Sequence, residues 1–454
     1  MVFNTQKYTK KGIADSRSSF YLGSVIFPLL LFILTLTTYS CKKEIEIPPP
    51  TVEVISPEAN QNILLPDEVR LQLKISSEKN IKFVQVSFVN YDNATLFKPI
   101  SWYFDTTHVV IDENILLGLI PQGFFSPYFM HITVIGGAGT NTYFHQIKLT
   151  NPETKYKGLY VTTRPAINQT KVYYYEPDFS EKVFASVDGE YVASTTADFK
   201  DFFYLITTEP GKLFAFSHDD GQLVWNKTPE LPNPEFTTLK YANFTVFTAT
   251  ENGNIKSFHA LTGNTNIVST QLQDSIPYHV QATSDHILSE FEARNSNSNL
   301  LVLFYRGTGT VARKRPLNYG VADIQVGKYG FNFLIFGNES KNSLVGTYNP
   351  LGNFITDVKK IDAGLIRQVE KYDADRFFLL IDNSIYLYNY AEGFNKIIRE
   401  FPEEVVAFKY EPVNGAIFVA FEQRVEVYSY PANQLLHQQN IPYPVKSIDV
   451  RIGY

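Results

Sequence analysis

Between Lys171 and Gln439 one pattern recurs seven times: an apolar strand ending near an aromatic, a four-residue turn, then a second strand. The clearest copy begins at Leu213-Phe214-Ala215-Phe216, turns through Ser217-His218-Asp219-Asp220-Gly221-Gln222 and ends on Leu223-Val224-Trp225. The residues at the turn position are Ser180, Gly221, Gly263, Gly309, Gly352, Gly393 and Asn433, spaced 41, 42, 46, 43, 41 and 40 residues apart. A period near forty, with period-two alternation inside it, fits a β-propeller, in which each unit is a small sheet whose faces must be covered by its neighbours. Composition points the same way. Aromatics make up 15% of the chain, as 29 Tyr and 36 Phe against 2 Trp, and such residues favour pleated, half-buried surfaces.

The ends of the repeat region carry a second signal. The first period holds only three strands, over 158–163, 171–176 and 181–186, while 444–451 reads as a lone strand with no hairpin after it. Three strands and one complete a four-stranded blade when the C-terminal strand closes the ring, which removes an unpaired sheet edge. The expectation for 156–454 is therefore a seven-bladed β-propeller. Its apolar strands are predicted over 202–207, 244–249, 331–336, 377–381 and 416–421. Its innermost strands are predicted over 237–241, 278–283, 321–327, 365–371 and 405–410.

The N-terminal part reads differently. Lys7, Lys10, Lys11 and Arg17 precede an apolar run over 25–36, and Thr38, Tyr39, Ser40 and Cys41 follow. Positive charge, a short apolar stretch and a small residue before the cut describe a signal peptide over 1–40. A dozen apolar residues interrupted by Pro28 fall short of the ~20 that span a bilayer. Residues 41–50, charged and then proline-rich, form a stiff tether. Seven alternating segments follow, over 51–55, 69–75, 81–89, 96–104, 108–117, 129–135 and 142–149, separated by turn residues. They predict a β-sandwich over 51–150. The lone cysteine of the chain excludes an internal disulfide.

Several resemblances attach to these residues. Ser40-Cys41 resembles the end of a lipobox, with Thr38 where such signals carry leucine, and the charged stretch after it is similar to surface-export signals of Bacteroidetes lipoproteins, with Lys42 and Lys43 where acidic residues are usual. That resemblance implies diacylation of Cys41 and lipid anchoring in the bacterial outer membrane, on the surface or periplasmic face. Two or three acyl chains anchor stably where one would be marginal. The entry Val52-Glu53-Val54-Ile55-Ser56-Pro57 resembles the first strand of immunoglobulin-like and fibronectin III-like modules. The segment from Leu213 to Trp225 and the turn Leu261-Thr262-Gly263 resemble quinoprotein-type and WD-repeat-like propellers, in which a Thr-Gly turn precedes an outer-strand Trp, and Trp225 occupies that docking position. Without a second cysteine the chain lacks the vicinal disulfide of pyrroloquinoline quinone enzymes, so no cofactor is expected. The stretch from Ser217 to Trp225 is also similar to the sialidase Asp box, where the acidic residue staples a turn and does no chemistry.

Catalytic signals are sparse. The eight histidines, His108, His131, His145, His218, His259, His279, His286 and His437, show no metal-ligand spacing, although His131 and His145 fall on strands that could be neighbours. Asp373, Asp375 and Asp382 fit turn chemistry and lack the acidic positions of a calcium loop. Paired carboxylates from different blades remain open, with Asp323 on one innermost strand and Glu403 and Glu404 just ahead of another as the named candidates. A net charge of -6 argues against nucleic acid as partner, and the basic run Arg313-Lys314-Arg315 falls on an outer strand. Proline-bearing connections over 228–235 and 272–277 offer preformed contact surfaces. Together these readings predict a membrane-anchored envelope lipoprotein whose propeller is a non-catalytic binding scaffold for a protein or a glycan. The alternative is an extracellular propeller hydrolase or lyase acting on carbohydrate.

Overall fold

A computed structural model describes residues 48–453, apart from 92, 94, 121–125, 198–201, 230–234, 243–244, 297 and 329. Cys41 and the expected signal peptide therefore lie outside the described residues. These residues are all-β, without a helix, and divide into two units, Met1–Thr150 and Asn151–Tyr454.

The first unit holds β1 (Thr51–Ser56), β2 (Asn62–Leu64), β3 (Asp67–Asn90), β4 (Ile100–Leu117), β5 (Tyr128–Gly136) and β6 (Gly139–Thr150). They form one six-stranded, half-barrel sheet in the order β1-β3-β5-β6-β2, with β4 also beside β3. Strand β3 is 24 residues long. Its first half pairs with β1, as in Leu73 opposite Val54, and its second half with β5, as in Val84 opposite Val134. The segments expected over 69–75 and 81–89 thus run together as β3, and those over 96–104 and 108–117 as β4. Neither junction contains Gly or Pro, so the polar stretch Ser76-Ser77-Glu78-Lys79-Asn80 stays extended and a register shift absorbs the bend. Alternation sets the core face: Leu71, Leu73 and Ile75 are buried while Arg70 and Lys74 are exposed. Leu71 and Leu73 pack with Val84, Val86, Ile132 and Val134 in a single apolar core.

The described residues of the second unit form seven four-stranded antiparallel sheets. Sheet 1 joins Val445–Gly453 to Lys155–Thr163, Gln169–Tyr175 and Glu181–Asp188, with Ile448 opposite Val161. The other six follow in chain order. Sheet 2 runs from Glu190–Thr196 to Leu223–Lys227, sheet 3 from Phe236–Ala242 to Thr265–Val268, and sheet 4 from Ser275–Ala282 to Val311–Leu317. Sheet 5 runs from Gly320–Val326 to Phe354–Ile361, sheet 6 from Ile366–Lys371 to Phe394–Glu400, and sheet 7 from Ala407–Glu411 to Leu435–Asn440.

Apolar periodicity explains the packing. The second strands of these sheets are almost wholly buried, as in Thr245–Thr250 and Ala416–Phe421, while the fourth strand Leu435–Asn440 is mostly exposed. A strand apolar on both faces needs cover on both sides. In Phe202–Thr208, Phe203 and Leu205 point into a core shared with sheet 1, and Tyr204 and Ile206 into one shared with sheet 3. Every apolar cluster of this unit likewise straddles two consecutive sheets, and one of them joins sheet 7 to sheet 1.

The repeated turn is built from backbone. Gly221, Gly263, Gly309, Asn353, Gly393 and Asn433 have positive φ, and each donates its N–H to the carbonyl four residues back at 2.7–3.0 Å. At two of the seven expected positions the left-handed residue is a neighbour of the expected one: Phe179 (φ 65°) instead of Ser180, and Asn353 (φ 53°) instead of Gly352. Asn tolerates this region, and Asn353 is fixed there by its amide, which donates to Lys314 O and accepts from Tyr348 Oη. Phe179 stacks its ring on His437 of sheet 7, with 3.7 Å between centroids. Trp225, on the fourth strand of sheet 2, donates Nε1–H to Ala260 O at 2.9 Å, and its indole covers the turn at Gly263.

Candidate functional site

The first strand of a sheet departs from regular pairing near its start in six of the seven sheets. One extra residue is inserted between Tyr191 and Ala193, Phe236 and Thr238, Pro277 and Val280, Val321 and Asp323, Ile366 and Gln368, and Val445 and Ser447. Such bulges bend a strand and re-aim its side chains. Where the bulged strands of sheets 2 to 5 come together they leave a cavity of about 540 Å³. Thr237 and Thr238, Tyr278 and His279, and Glu290 and Glu292 of the adjoining strand line it, with Val192 and Ala193 as an apolar wall.

Glu290 is the unusual member. It lies mid-strand in His286–Ala293, between Ser289 and Phe291, both fully buried, and is itself 4% exposed. Its Oε1 accepts the Val321 N–H at 2.8 Å. Its Oε2 makes no hydrogen bond within the protein and lies 3.8 Å from His279 Nε2. Burial pushes the Glu290 carboxyl up to about 7; the Val321 N–H opposes the shift and the Glu292 charge adds to it. Burial also lowers the His279 imidazole, with Asp323 acting in the opposite direction. The distance alone would suggest an ion pair. Burial, however, drives both groups toward their neutral forms, and 3.8 Å is too long for a hydrogen bond to offset the desolvation of the Glu290 charge. Glu290 is therefore mostly protonated below pH 7 and half ionised near it, and burial favours the neutral His279 imidazole. Glu292, two residues along the same strand, shares the face of Glu290 and stands opposite Asn299, which also lines the cavity.

A second polar cluster joins the first strands of sheets 1, 2, 6 and 7. Lys409 Nζ lies 2.8 Å from Glu370 and 4.0 Å from Asp449. Burial works against the Lys409 ammonium, but the two carboxylates overcome it and hold the group above its ordinary value. Asp449 is pushed up to about 6, by burial first, because its lysine is distant and Ser194 supplies only one hydrogen bond. The Ser194 hydroxyl donates to Asp449, and Thr196 Oγ1 to Val450 O at 3.1 Å, so sheet 2 is bonded to the C-terminal strand of sheet 1.

The carboxylates singled out from sequence do not converge. Asp323 turns back on its own strand, accepting from Ile324 N at 2.7 Å and Gln325 Nε2 at 2.5 Å. Glu403 accepts two bonds from Arg424 at 2.8 and 3.0 Å, and Glu404 one from Arg367 at 3.1 Å, both on the surface. Asp373 and Asp375 serve a turn and its ion pairs. His131 pairs with Phe144 and His145 with Met130, adjacent register positions that place the two rings on opposite faces. His218 is buried, bonded by Tyr160 Oη at 2.5 Å, and burial with Arg451 nearby drops it to about 3. Arg313-Lys314-Arg315 lie on the outer strand Val311–Leu317. Of the named residues only His279 lines the cavity. Glu290 and Glu292 were missed, although a charge inside an otherwise apolar second strand was visible in the sequence. Among the described residues no group of three or more His, Cys, Asp or Glu is placed to hold a metal ion.

No known family profile matches this chain, and no curated protein matches it. Among solved structures it is similar to the computationally designed Ika8 protein, over 65% of this chain and 91% of that one, at 12% identity and a TM-score of 0.47.

Proposed function

We propose that the chain is a Bacteroidetes-type lipoprotein, anchored to the outer membrane through Cys41, whose seven sheets are the blades of a closed propeller that binds a ligand without transforming it. The cavity at the starts of the first strands is the observation that carries the binding reading. Closure of the ring is supported by the apolar core between sheets 7 and 1 and by the bonds from Ser194 and Thr196 to the last strand. A site walled by four adjoining rigid sheets is preformed, so little ordering entropy opposes binding. Its position at one end of the first strands is where propellers present a rim to a protein segment or a glycan.

Glycan and peptide arrays probed with the full chain and with Ala193→Trp, which fills the cavity, test this reading. Binding that disappears in the filled variant is expected; binding that persists in it contradicts the assignment. Anchoring is tested separately, since Cys41→Ala is expected to leave the membrane fraction, and unchanged partitioning contradicts it. A propeller hydrolase or lyase acting on carbohydrate is the second reading, favoured by two carboxylates, Glu290 and Glu292, on one cavity wall with one of them raised to about 7. Cleaved products from a bound glycan, absent with Glu290→Gln, would decide for it.

A further inference from the structure

We propose that the cavity takes a primary ammonium group on an alkyl stem, with the Glu290 and Glu292 carboxylates as its counter-ions. The inference rests on the cavity being the ligand site and names the chemistry of what enters it.

Three observations carry it. First, the lining residues that bear charge are carboxylates. His279, the remaining titratable base of the wall, is pushed toward its neutral form by burial, and Lys240, the cation acting on it, is not part of the lining. A neutral polyol would leave that negative charge uncompensated, and an anion would oppose it. Second, Glu290 is nine-tenths buried and lines the cavity, yet its Oε2 has no hydrogen-bond donor. That oxygen is open to the cavity and not sealed from it, so an incoming N–H meets an accessible acceptor that no protein donor occupies. Third, Oε1 is already held by the Val321 N–H, so Glu290 presents one free oxygen. A guanidinium fork needs two parallel acceptors, whereas an ammonium is a point charge that needs one from each of several groups. Val192 and Ala193 give the methylene stem an apolar wall, and the ring of Tyr278 stands beside it.

The groups facing Glu290 are Glu292 on its own strand, His279 and Tyr278 on the neighbouring strand, and Tyr319 just ahead of sheet 5, with Asp323 of sheet 5 and Lys240 of sheet 3 acting through His279. Of these only Lys240 is cationic. A bound ammonium therefore drives ionisation of Glu290 and releases a proton to solvent. Since the free carboxyl sits at about 7, the ionised fraction rises about tenfold between pH 6 and pH 8, and affinity follows it. The alkyl ammonium itself, near 10.4 in water, stays charged throughout.

Isothermal titration calorimetry on the detergent-solubilised full chain tests this with n-butylammonium and Nα-acetyl-L-lysine amide. Nα,Nε-diacetyl-L-lysine amide and cellobiose are the neutral probes. Both ammonium probes, or the lysine probe alone, are expected to bind, the second outcome marking a peptide side chain as the source. Affinity is expected to increase roughly tenfold from pH 6 to pH 8. Glu290→Gln, which keeps an acceptor for Val321, is expected to weaken binding about tenfold or more and to flatten the pH dependence, and Glu292→Gln to weaken it with the slope retained. Melting temperatures of both variants show whether the fold persists. Silence of both ammonium probes, equal binding of the diacetylated probe, or indifference to Glu290→Gln overturns the inference. Cellobiose binding that Ala193→Trp removes, with the ammonium probes silent, overturns it while leaving the cavity as the ligand site.

Discussion

Glu290→Gln should make the protein more stable in mild alkali, contrary to the usual cost of changing a buried charged residue. The side chain is buried in the second strand of sheet 4 with one oxygen on Val321 N–H and the other without a donor. Burial raises its carboxyl from an ordinary value of 4.5 to about 7. Because the folded value is the higher one, the native state holds a proton that the unfolded chain has already lost. Stability therefore falls as pH rises from about 4.5 to about 7 and is level above that. The interval is about two and a half units, so the ionised carboxylate costs roughly 3 kcal/mol at pH 8 at 1.36 kcal/mol per unit. Glutamine keeps the acceptor for Val321 and cannot ionise. Urea unfolding followed by tryptophan fluorescence is expected to give similar midpoints for the two proteins at pH 4.5. At pH 8 the variant is expected to be more stable by roughly 3 kcal/mol. Trp225 reports this unit and Trp102 the other. A variant less stable than the parent at pH 8 would refute the reasoning, for it would mean that the ionised Glu290 is stabilised by a charged His279.

Two other substitutions probe the contacts between sheets. Lys409→Met leaves the Glu370 and Asp449 carboxylates facing one another without their shared cation. It is expected to destabilise the second unit by ~3 kcal/mol, read as a lower urea midpoint, and an unchanged midpoint would contradict the pairing. Gly263→Val places a branched side chain at φ 66°, with its Cβ 2.7 Å from the indole of Trp225. A loss of ~2 kcal/mol with a red-shifted Trp225 emission is expected, and unchanged emission would show that the indole does not cover this turn.

The architecture was legible where residue type and backbone demand coincide. The turn at Gly221 requires a left-handed residue every forty or so positions, and glycine announces it. The same turn at Phe179 and Asn353 was displaced by one residue, because there the conformation is fixed by a ring stacked on His437 and by an amide bonded to Lys314, contacts between segments distant in sequence. In the first unit the expected breaks at 76–80 and near 106 did not occur. Polar residues alone do not end a strand, and a bulge keeps the chain extended through them. The cavity was the least legible feature. Asp323, Glu403 and Glu404 drew notice by lying on or near predicted innermost strands, yet each is consumed by a local bond or a surface arginine. Glu290 lies on a second strand, and only the stacking of sheets 4 and 5 brings Val321 onto one of its oxygens.

Hydrogen exchange read by mass spectrometry on the strand Val445–Gly453 tests the closed ring most directly. Its residues pair with Lys155–Thr163, as Ile448 with Val161 and Val450 with Leu159, and Ile448 is fully buried in the core shared with sheet 7. If the strand completes sheet 1 and seals the ring, its amides stay protected as long as those of Phe202–Thr208 and Ala416–Phe421 and are lost only with unfolding of the whole unit. Exchange of this segment at the rate of an unpaired tail, with the other sheets still protected, would contradict the closed propeller.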